Sequence, residues 1–359
     1  MAKKKTNMVK YILKRILMMI PMLFLVLTFT WILSHMMIVT RISEISLIFD
    51  DPALMEEQLK KIGYKDPWFV ELGIYFKNFF TGDWGEALAG DREGTQVFTL
   101  ISDIFPKTLE LMIIPIVLSP IIAVKLGLAS AKHRDKLRDI LIRIIAILGA
   151  GFPVFWIATL LQLFFGLYLG WFTLGSLDLP VIFANKSDFA FPYSPVPNGA
   201  LSTNFRILDS FIYNDQLYLW DTLIHLIIPA MCVTFVSLAG ITRQTRSSML
   251  DVLDQDFIRT ARAKGVVEKE VINQHALRNA LLPTSNLIIG GIAAALLGSF
   301  YVEVTFNYKG FGFYMWSSIF LGDYMVINGL LVFATIIILS GNLVADVMYT
   351  IIDPRIIYS

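Results

Sequence analysis

Five stretches of this sequence contain no Asp, Glu, Lys or Arg: residues 16–40, 144–177, 222–242, 279–302 and 324–345. They run for 25, 34, 21, 24 and 22 residues, and a helix needs about 20 apolar residues to cross a bilayer core. The whole chain points the same way. Of its 359 residues 56% are hydrophobic and 16% charged, against about 25% charged in an ordinary soluble domain. A chain this poor in charge cannot cover its surface with polar groups, so the expected class is all-α, polytopic and membrane-embedded. A formal net charge of +1 removes the bulk electrostatic case for nucleic acid as a partner. The single Cys232 excludes a disulfide framework, and His35, His133, His225 and His275 form no short ligand spacing, so no metal site is expected.

A sixth span is predicted from topology. Only the 14 residues 111–124 separate Glu110 from Lys125, but a helix over about 105–130 still crosses if Lys125 snorkels to one interface. The segment Ala131-Lys-His-Arg-Asp-Lys-Leu-Arg138 and the N-terminal Lys3, Lys4, Lys5, Lys10, Lys14 and Arg15 are both basic. The positive-inside rule puts both in the cytoplasm, which requires an even number of crossings between them. The expectation is therefore six transmembrane helices with both termini cytoplasmic. The first charge-free run exceeds a signal-peptide core and no Ala-x-Ala site follows it, so the first helix is read as uncleaved. The predicted organisation is an N-terminal segment and first helix over 1–40, an extracytoplasmic loop over 41–105 and a core over 106–350, with a tail over 351–359. The core includes an outer loop over 170–221 and a cytoplasmic loop over 243–280. Residues 68–84 are aromatic-rich and fit either an amphipathic lid or a folded linker; Phe191-Pro-Tyr-Ser-Pro-Val-Pro-Asn-Gly199 reads as a surface loop.

This arrangement gives the near-zero net charge a meaning. The inner side holds 20 Lys and Arg against 9 Asp and Glu, and the outer side holds 10 against 20.

The most specific segment is the cytoplasmic stretch 243–278. Ala and Arg dominate 258–264, which favours helix, and Gly265 is a natural left-handed stop. Glu268 and Glu270 then fall in the first turn of a second helix, and Pro283 either kinks or starts the next span. The product is helix, glycine elbow, helix. Small residues at Ala261, Ala263 and Gly265 offer a surface on which the cleft of another protein closes; an amphipathic hairpin lying on the membrane is the plainer alternative.

The string Arg259-Thr-Ala-Arg-Ala-Lys-Gly265 followed by His275-Ala-Leu-Arg-Asn-Ala-Leu-Leu-Pro283 resembles the cytoplasmic "EAA" loop of ABC-importer permeases. Closer still is the B-type permease of dipeptide and oligopeptide importers. Tyr11-Ile-Leu-Lys-Arg-Ile, Phe79-Phe-Thr-Gly-Asp-Trp-Gly85, Pro106-Lys-Thr-Leu-Glu-Leu111, Phe152-Pro-Val-Phe-Trp-Ile157, His225-Leu-Ile-Ile-Pro-Ala230, Arg246-Ser-Ser-Met-Leu250 and Asp353-Pro-Arg355 extend the likeness along nearly the whole chain. The loop departs from the general importer pattern, with Arg259-Thr260-Ala261 for Glu-Ala-Ala and a longer gap to Leu-Pro, as the peptide branch does; from that branch the chain departs at Ile38-Val-Thr-Arg-Ile-Ser43, where the branch has a Pro-Gly-Asp-Pro turn. Tyr308-Lys-Gly-Phe-Gly312 stands for Pro-Gly-Leu-Gly, so the glycines remain and Lys309 replaces the proline.

The resemblance implies a type I ABC importer permease fold and a translocation pathway shared with a homologous second permease subunit. It implies cytoplasmic ABC ATPase subunits, an extracytoplasmic substrate-binding protein and surrounding membrane lipid as the other partners. It also implies that Arg259, Thr260, Ala261, Ala263, Lys264, Gly265, Val266, Val267 and Glu268 form the ATPase-coupling loop. The chain has no Gly-x4-Gly-Lys-[Ser/Thr] motif, so ATP and Mg are expected on the partner subunits, with no cofactor on this chain and no catalytic residue. The cargo expected is peptide, with oligosaccharide or a metal chelate as alternatives inside the class.

Two readings outside the class compete. A secondary transporter or channel predicts ion-binding carboxylates at the bilayer middle and internal repeats, and a membrane enzyme predicts a reactive interfacial cluster; the sequence displays neither. Glu303 and Asp346 sit at span ends and read as solvated or capping carboxylates, and His35 and His225 as packing histidines. Gly166-x-x-x-Gly170 fits a helix-packing pair. Trp31, Trp156, Trp171 and Trp220 suit interfacial belts, and Pro21 and Pro153 suit kinks.

Overall fold

The computed structural model describes residues 8–48, 67–170, 201–295 and 300–352. Among the described residues the chain is helical, and the one β feature is an isolated antiparallel bridge between Glu86 and Gln96. The helices are α1 (Met8–Ile48), α2 (Trp68–Thr81), α3 (Val97–Lys132), α4 (Leu137–Gly151) and α5 (Val154–Gln162), the last continuing as a π-helical turn Leu163–Tyr168. There follow α6 (Arg206–Ile212), α7 (Gln216–Leu253), α8 (Asp256–Ala263) and α9 (Glu268–Glu270), which runs through the π-helical turn Val271–Ala276 into α10 (Leu277–Ala295). The last three are α11 (Phe300–Thr305), α12 (Phe311–Leu321) and α13 (Tyr324–Ile352).

Among the described residues four segments are long and apolar enough to cross a membrane: Ile12–Met36, Val97–Lys132, Gln216–Leu253 and Tyr324–Met348. The short run 111–124 thus sits inside a 36-residue helix, long enough to cross. The run 144–177 is not one straight span. The helices Leu137–Gly151 and Val154–Tyr168 meet at 103°, because Pro153 has no N–H to continue the ladder and forces the residue before it out of helical geometry. Phe152 accordingly is extended, at φ −96° and ψ 140°. Counting that pair as one span gives five. The run 279–302 is helical over Leu277–Ala295 and again from Phe300, with 296–299 outside the described residues.

Two loop boundaries also change. The stretch 243–278 opens with eleven residues that still belong to α7, since charge marks the edge of the apolar layer and does not itself break a helix. At the other end α7 starts at Gln216, where the Asp215 carboxylate accepts the Tyr218 N–H at 3.0 Å as an N-cap. The outer loop read as 170–221 therefore ends six residues earlier than its predicted boundary and carries α6 within it. The Pro-rich string 191–199 and the charged segment 50–61 lie outside the described residues.

The chain divides into two compact units, residues 1–105 with 314–343 and residues 106–313 with 344–359. In the first unit α1 and α2 pack through Phe24 and Phe76, edge to face at 5.2 Å, and through a 3.0 Å hydrogen bond between the Thr30 and Tyr75 hydroxyls. His35 Nδ1 lies 3.0 Å from the buried Glu71 carboxylate, so His35 has a polar partner and is more than a packing residue. Asn328 on α13 donates to Ser34 on α1. The buried Asp323 carboxylate accepts from Leu88 N (2.7 Å), Ala89 N (3.2 Å) and Val326 N (3.1 Å), tying the loop before α3 to the start of α13.

In the second unit the apolar core joins Leu111, Met112, Ile157, Leu226, Ala230, Cys232, Val233, Val302 and Tyr308. The close approach of α3 to α7 is made at Gly127, not at the Gly166/Gly170 pair singled out above. A Cβ on Gly127 would stand 2.6 Å from Thr245 Cβ and 2.8 Å from the Thr242 carbonyl oxygen, whereas one on Gly170 would meet nothing within 4 Å. Because the obstruction at Gly127 includes backbone, Gly127→Val is expected to destabilise the chain by about 1–3 kcal/mol. Gly240→Ala in α7, which meets nothing within 4 Å, is expected to change stability by no more than about 1 kcal/mol. Thermal unfolding of the two variants in detergent checks the contrast.

Candidate functional site: the helix–elbow–helix segment 256–276

Helix α8 ends in a Schellman motif. Gly265 takes φ +78°, Val266 N donates to the Ala261 carbonyl at 3.2 Å and Gly265 N to the Arg262 carbonyl at 3.0 Å. These bonds satisfy carbonyls that the helix end would leave unpaired, and the left-handed residue between them is the one that glycine adopts without strain. Val267 is extended, and Glu270 N and Val271 N return to its carbonyl at 2.8 and 3.1 Å, which starts the next helix with Glu268 and Glu270 in its first turn.

A bidentate pair closes the elbow from outside. Arg262 Nε and Nη2 donate to the two Glu268 carboxylate oxygens at 3.1 and 2.8 Å. The guanidinium holds the Glu268 carboxyl below the usual glutamate range. Both side chains are about half exposed, so the pair contributes geometry more than stability.

The inner face of the elbow is anchored. Ile258, Val271 and Ala276 are fully buried, together with Met249 and Val252 of α7, Ala131 of α3 and Ala280 of α10. Ala261 and Val266 pack against this cluster; of the three small residues grouped above as a contact surface, Ala261 therefore faces inward. The outer face presents Arg259, Thr260, Ala263, Lys264, Gly265, Val267 and Glu268, all exposed. Val267 is 66% exposed at the tip and a Cβ on Gly265 would meet nothing within 4 Å. The exposed Phe257 adds a second apolar group at the start of α8 that the sequence pattern did not single out; its neighbour Ile258 takes the buried place on the helix.

The chain matches the family described as "Binding-protein-dependent transport system inner membrane component" over residues 123–358, which include the whole elbow. It belongs to that family. It is 35% identical to the oligopeptide transport system permease protein AppB of Bacillus subtilis over 355 residues, 98% of this chain and 100% of the relative. It is 33% identical to the dipeptide transport system permease protein DppB of Alkalihalophilus pseudofirmus over the same 98% and 100%. The di/tripeptide transport system permease protein DppB of Pseudomonas aeruginosa is 33% identical over 85% of this chain and 86% of its own length. The chain is thus a multi-pass plasma-membrane permease component. Among the described residues no group of three or more His, Cys, Asp or Glu side chains is placed to hold a metal ion.

The Gly310 and Gly312 element has a counterpart in the structure that explains why glycine remains where the proline is lost. Glu303 is fully buried and its carboxylate accepts from the Thr108 hydroxyl (3.0 Å), Gly312 N (2.7 Å) and Phe313 N (3.2 Å). Phe311 N donates to the Thr108 oxygen at 2.7 Å. Glu303 therefore caps the start of α12, as a capping carboxylate should, but from the interior and not from solvent. A Cβ on Gly310 would stand 2.5 Å from the Thr108 hydroxyl oxygen and 2.7 Å from the Glu303 carboxylate, so the turn closes over the acid only without a side chain there. His225 is also less satisfied than a packing histidine. Its Nδ1 reaches the Asp221 carbonyl at 2.8 Å and the Asp221 carboxylate at 3.3 Å, while its Nε2 has no hydrogen-bond partner among the described residues.

Removing the cap in Glu303→Ala strands two amide donors in the interior, at a cost of about 1–3 kcal/mol each. The expected outcome is a large loss of folded protein, with most of it restored in Glu303→Gln, whose amide oxygen still accepts the two N–H groups. Yield of monodisperse protein after detergent extraction reads this directly.

Proposed function

We propose that this chain is one of two permease subunits that enclose the pathway of an ATP-driven importer, and that its cargo is peptide. The relatives' printed roles in oligopeptide, dipeptide and di/tripeptide transport support the cargo. In this reading six helices cross the membrane, both termini face the cytoplasm and the fold is that of a type I importer. A binding protein delivers cargo from the outside and separate ATPase subunits hydrolyse ATP on the inside.

The single observation that carries the coupling assignment is the two-sidedness of the elbow. Its inner face is fixed to α3, α7 and α10 through Ile258, Val271 and Ala276, while Arg259, Thr260, Ala263, Lys264, Gly265, Val267 and Glu268 stand clear of the fold. A flexible linker would have no buried side, and a hairpin lying on the membrane would not present Arg259, Lys264 and Glu268 around its apolar tip. A partner that grips the tip moves the helices beneath it, which is the rigid-body switching that alternating access requires.

Gly265→Val introduces a β-branched residue at φ +78°, which distorts the elbow but faces open space. The chain is expected to insert normally and to lose its ATPase subunits on copurification, with uptake lost in parallel. Unchanged copurification and uptake would show that the elbow is not the docking point.

A further inference from the structure

The cluster beneath the elbow is continuous with a buried ionic knot around Asp139. Asp139, in the first turn of α4, has no exposed surface. Its carboxylate gathers donors from three separate segments. Arg246 of α7 donates Nε to Oδ1 at 2.8 Å and Nη2 to Oδ2 at 2.9 Å. The Ser130 hydroxyl near the end of α3 donates to Oδ1, and the Asp135 N–H in the α3–α4 turn donates to Oδ2 at 3.0 Å. Asp135 itself is held at φ +62°, a left-handed conformation for a non-glycine residue. Arg143, one turn along α4, places Nε 3.7 Å from Oδ1. Two guanidinium groups therefore face a single carboxylate, and the bidentate one joins two helices.

The position of Arg246 gives the knot its direction. One residue before it, Thr245 meets α3 at the tight Gly127 approach. Three and six residues after it, Met249 and Val252 are buried in the same cluster as Ile258, Val271 and Ala276 of the elbow. Force applied at the elbow enters α7 at Met249 and Val252. From there it has two ways out: apolar contact with Ala131, which slides, and the two-bond fork to Asp139, which does not. A planar guanidinium with two parallel N–H···O bonds fixes orientation as well as distance.

We propose that the Asp139–Arg246 fork is the positioning pair that makes α3, α4 and α7 follow the elbow as one body. It transmits the displacement of the docked ATPase to helices that the ATPase does not touch. This rests on the coupling role of the elbow and adds the load path behind it. The fork performs no chemistry; its function is to leave the elbow no freedom to move without α4.

The test uses the complete complex of permeases, ATPase subunits and binding protein. Spin labels are placed at the exposed Leu137 of α4 and Asp251 of α7, and distances are recorded by pulsed electron paramagnetic resonance without nucleotide and with ATP plus vanadate. With the native fork the distance distribution is expected to be the same in both states. In Asp139→Asn, and in Arg246→Lys, which keeps the charge but loses the fork, ATP is expected to shift the distribution by about 2 Å or more, because α7 then moves alone. A distribution in both variants that matches the native one in both states would overturn the proposal. So would a broadening that is equal with and without ATP, which is what a merely structural role would give. Should Asp139→Asn fail to assemble, Arg246→Lys alone decides. The Gly265→Val copurification separates the two claims. If that variant keeps its ATPase, the coupling reading fails; if it loses the ATPase while both fork variants stay rigid, only the fork is wrong.

Discussion

Burying a carboxylate in an apolar interior is costly unless donors meet it, and in this chain that constraint shapes the connections between helices. Asp139 draws in Arg246, Ser130 and the α3–α4 turn. Glu303 draws in Thr108 and the start of α12. Asp323 draws in the backbone before α3. Glu110 accepts from Ile207 N at 2.7 Å and so holds the start of α6. Apolar side chains facing lipid give the helices little reason to choose one neighbour over another. Acids that enter the interior supply the choice, because a buried carboxylate favours the arrangement that brings donors to it.

The same reasoning explains what the sequence made legible. Charge-free runs located the apolar helices, and the Arg/Ala-rich string ending at Gly265 gave the elbow down to its left-handed residue. Both signals are local: hydropathy over a turn or more, and a backbone preference at one residue. Asp139 carried no such mark. In the sequence it is one acid among the basic residues of a segment read as cytoplasmic, and its partner Arg246 lies 107 positions away. Gly127 was equally silent, because a glycine needed for close approach looks like any other until the opposing backbone is in place. The helix ends were misplaced at 243 and 221 for a related reason. Charge reports where the apolar layer stops, while α7 continues past it in both directions.

The elbow and the fork describe one mechanical element at two depths. At the surface, a Schellman turn braced by Arg262 and Glu268 holds a shaped tip clear of the fold. Below it, Ile258, Val271 and Met249 transfer load by packing, and below those the Asp139 fork converts packing into a fixed geometry among three helices. In the proposed reading the motion comes from separate ATPase subunits, and stiffness between the elbow and the helices beneath it is what this arrangement would supply.

Whether the ATPase takes hold of the exposed face of the elbow is read most directly by site-specific photocrosslinking. A benzophenone amino acid at Ala263, exposed on the outer face of α8, is irradiated in the assembled complex, with a second variant carrying it at Leu25, exposed within the apolar helix α1, as a control. An adduct between this chain and an ATPase subunit is expected from Ala263 and none from Leu25. Adducts from Ala263 to lipid alone, in a complex that still hydrolyses ATP and transports, would contradict it.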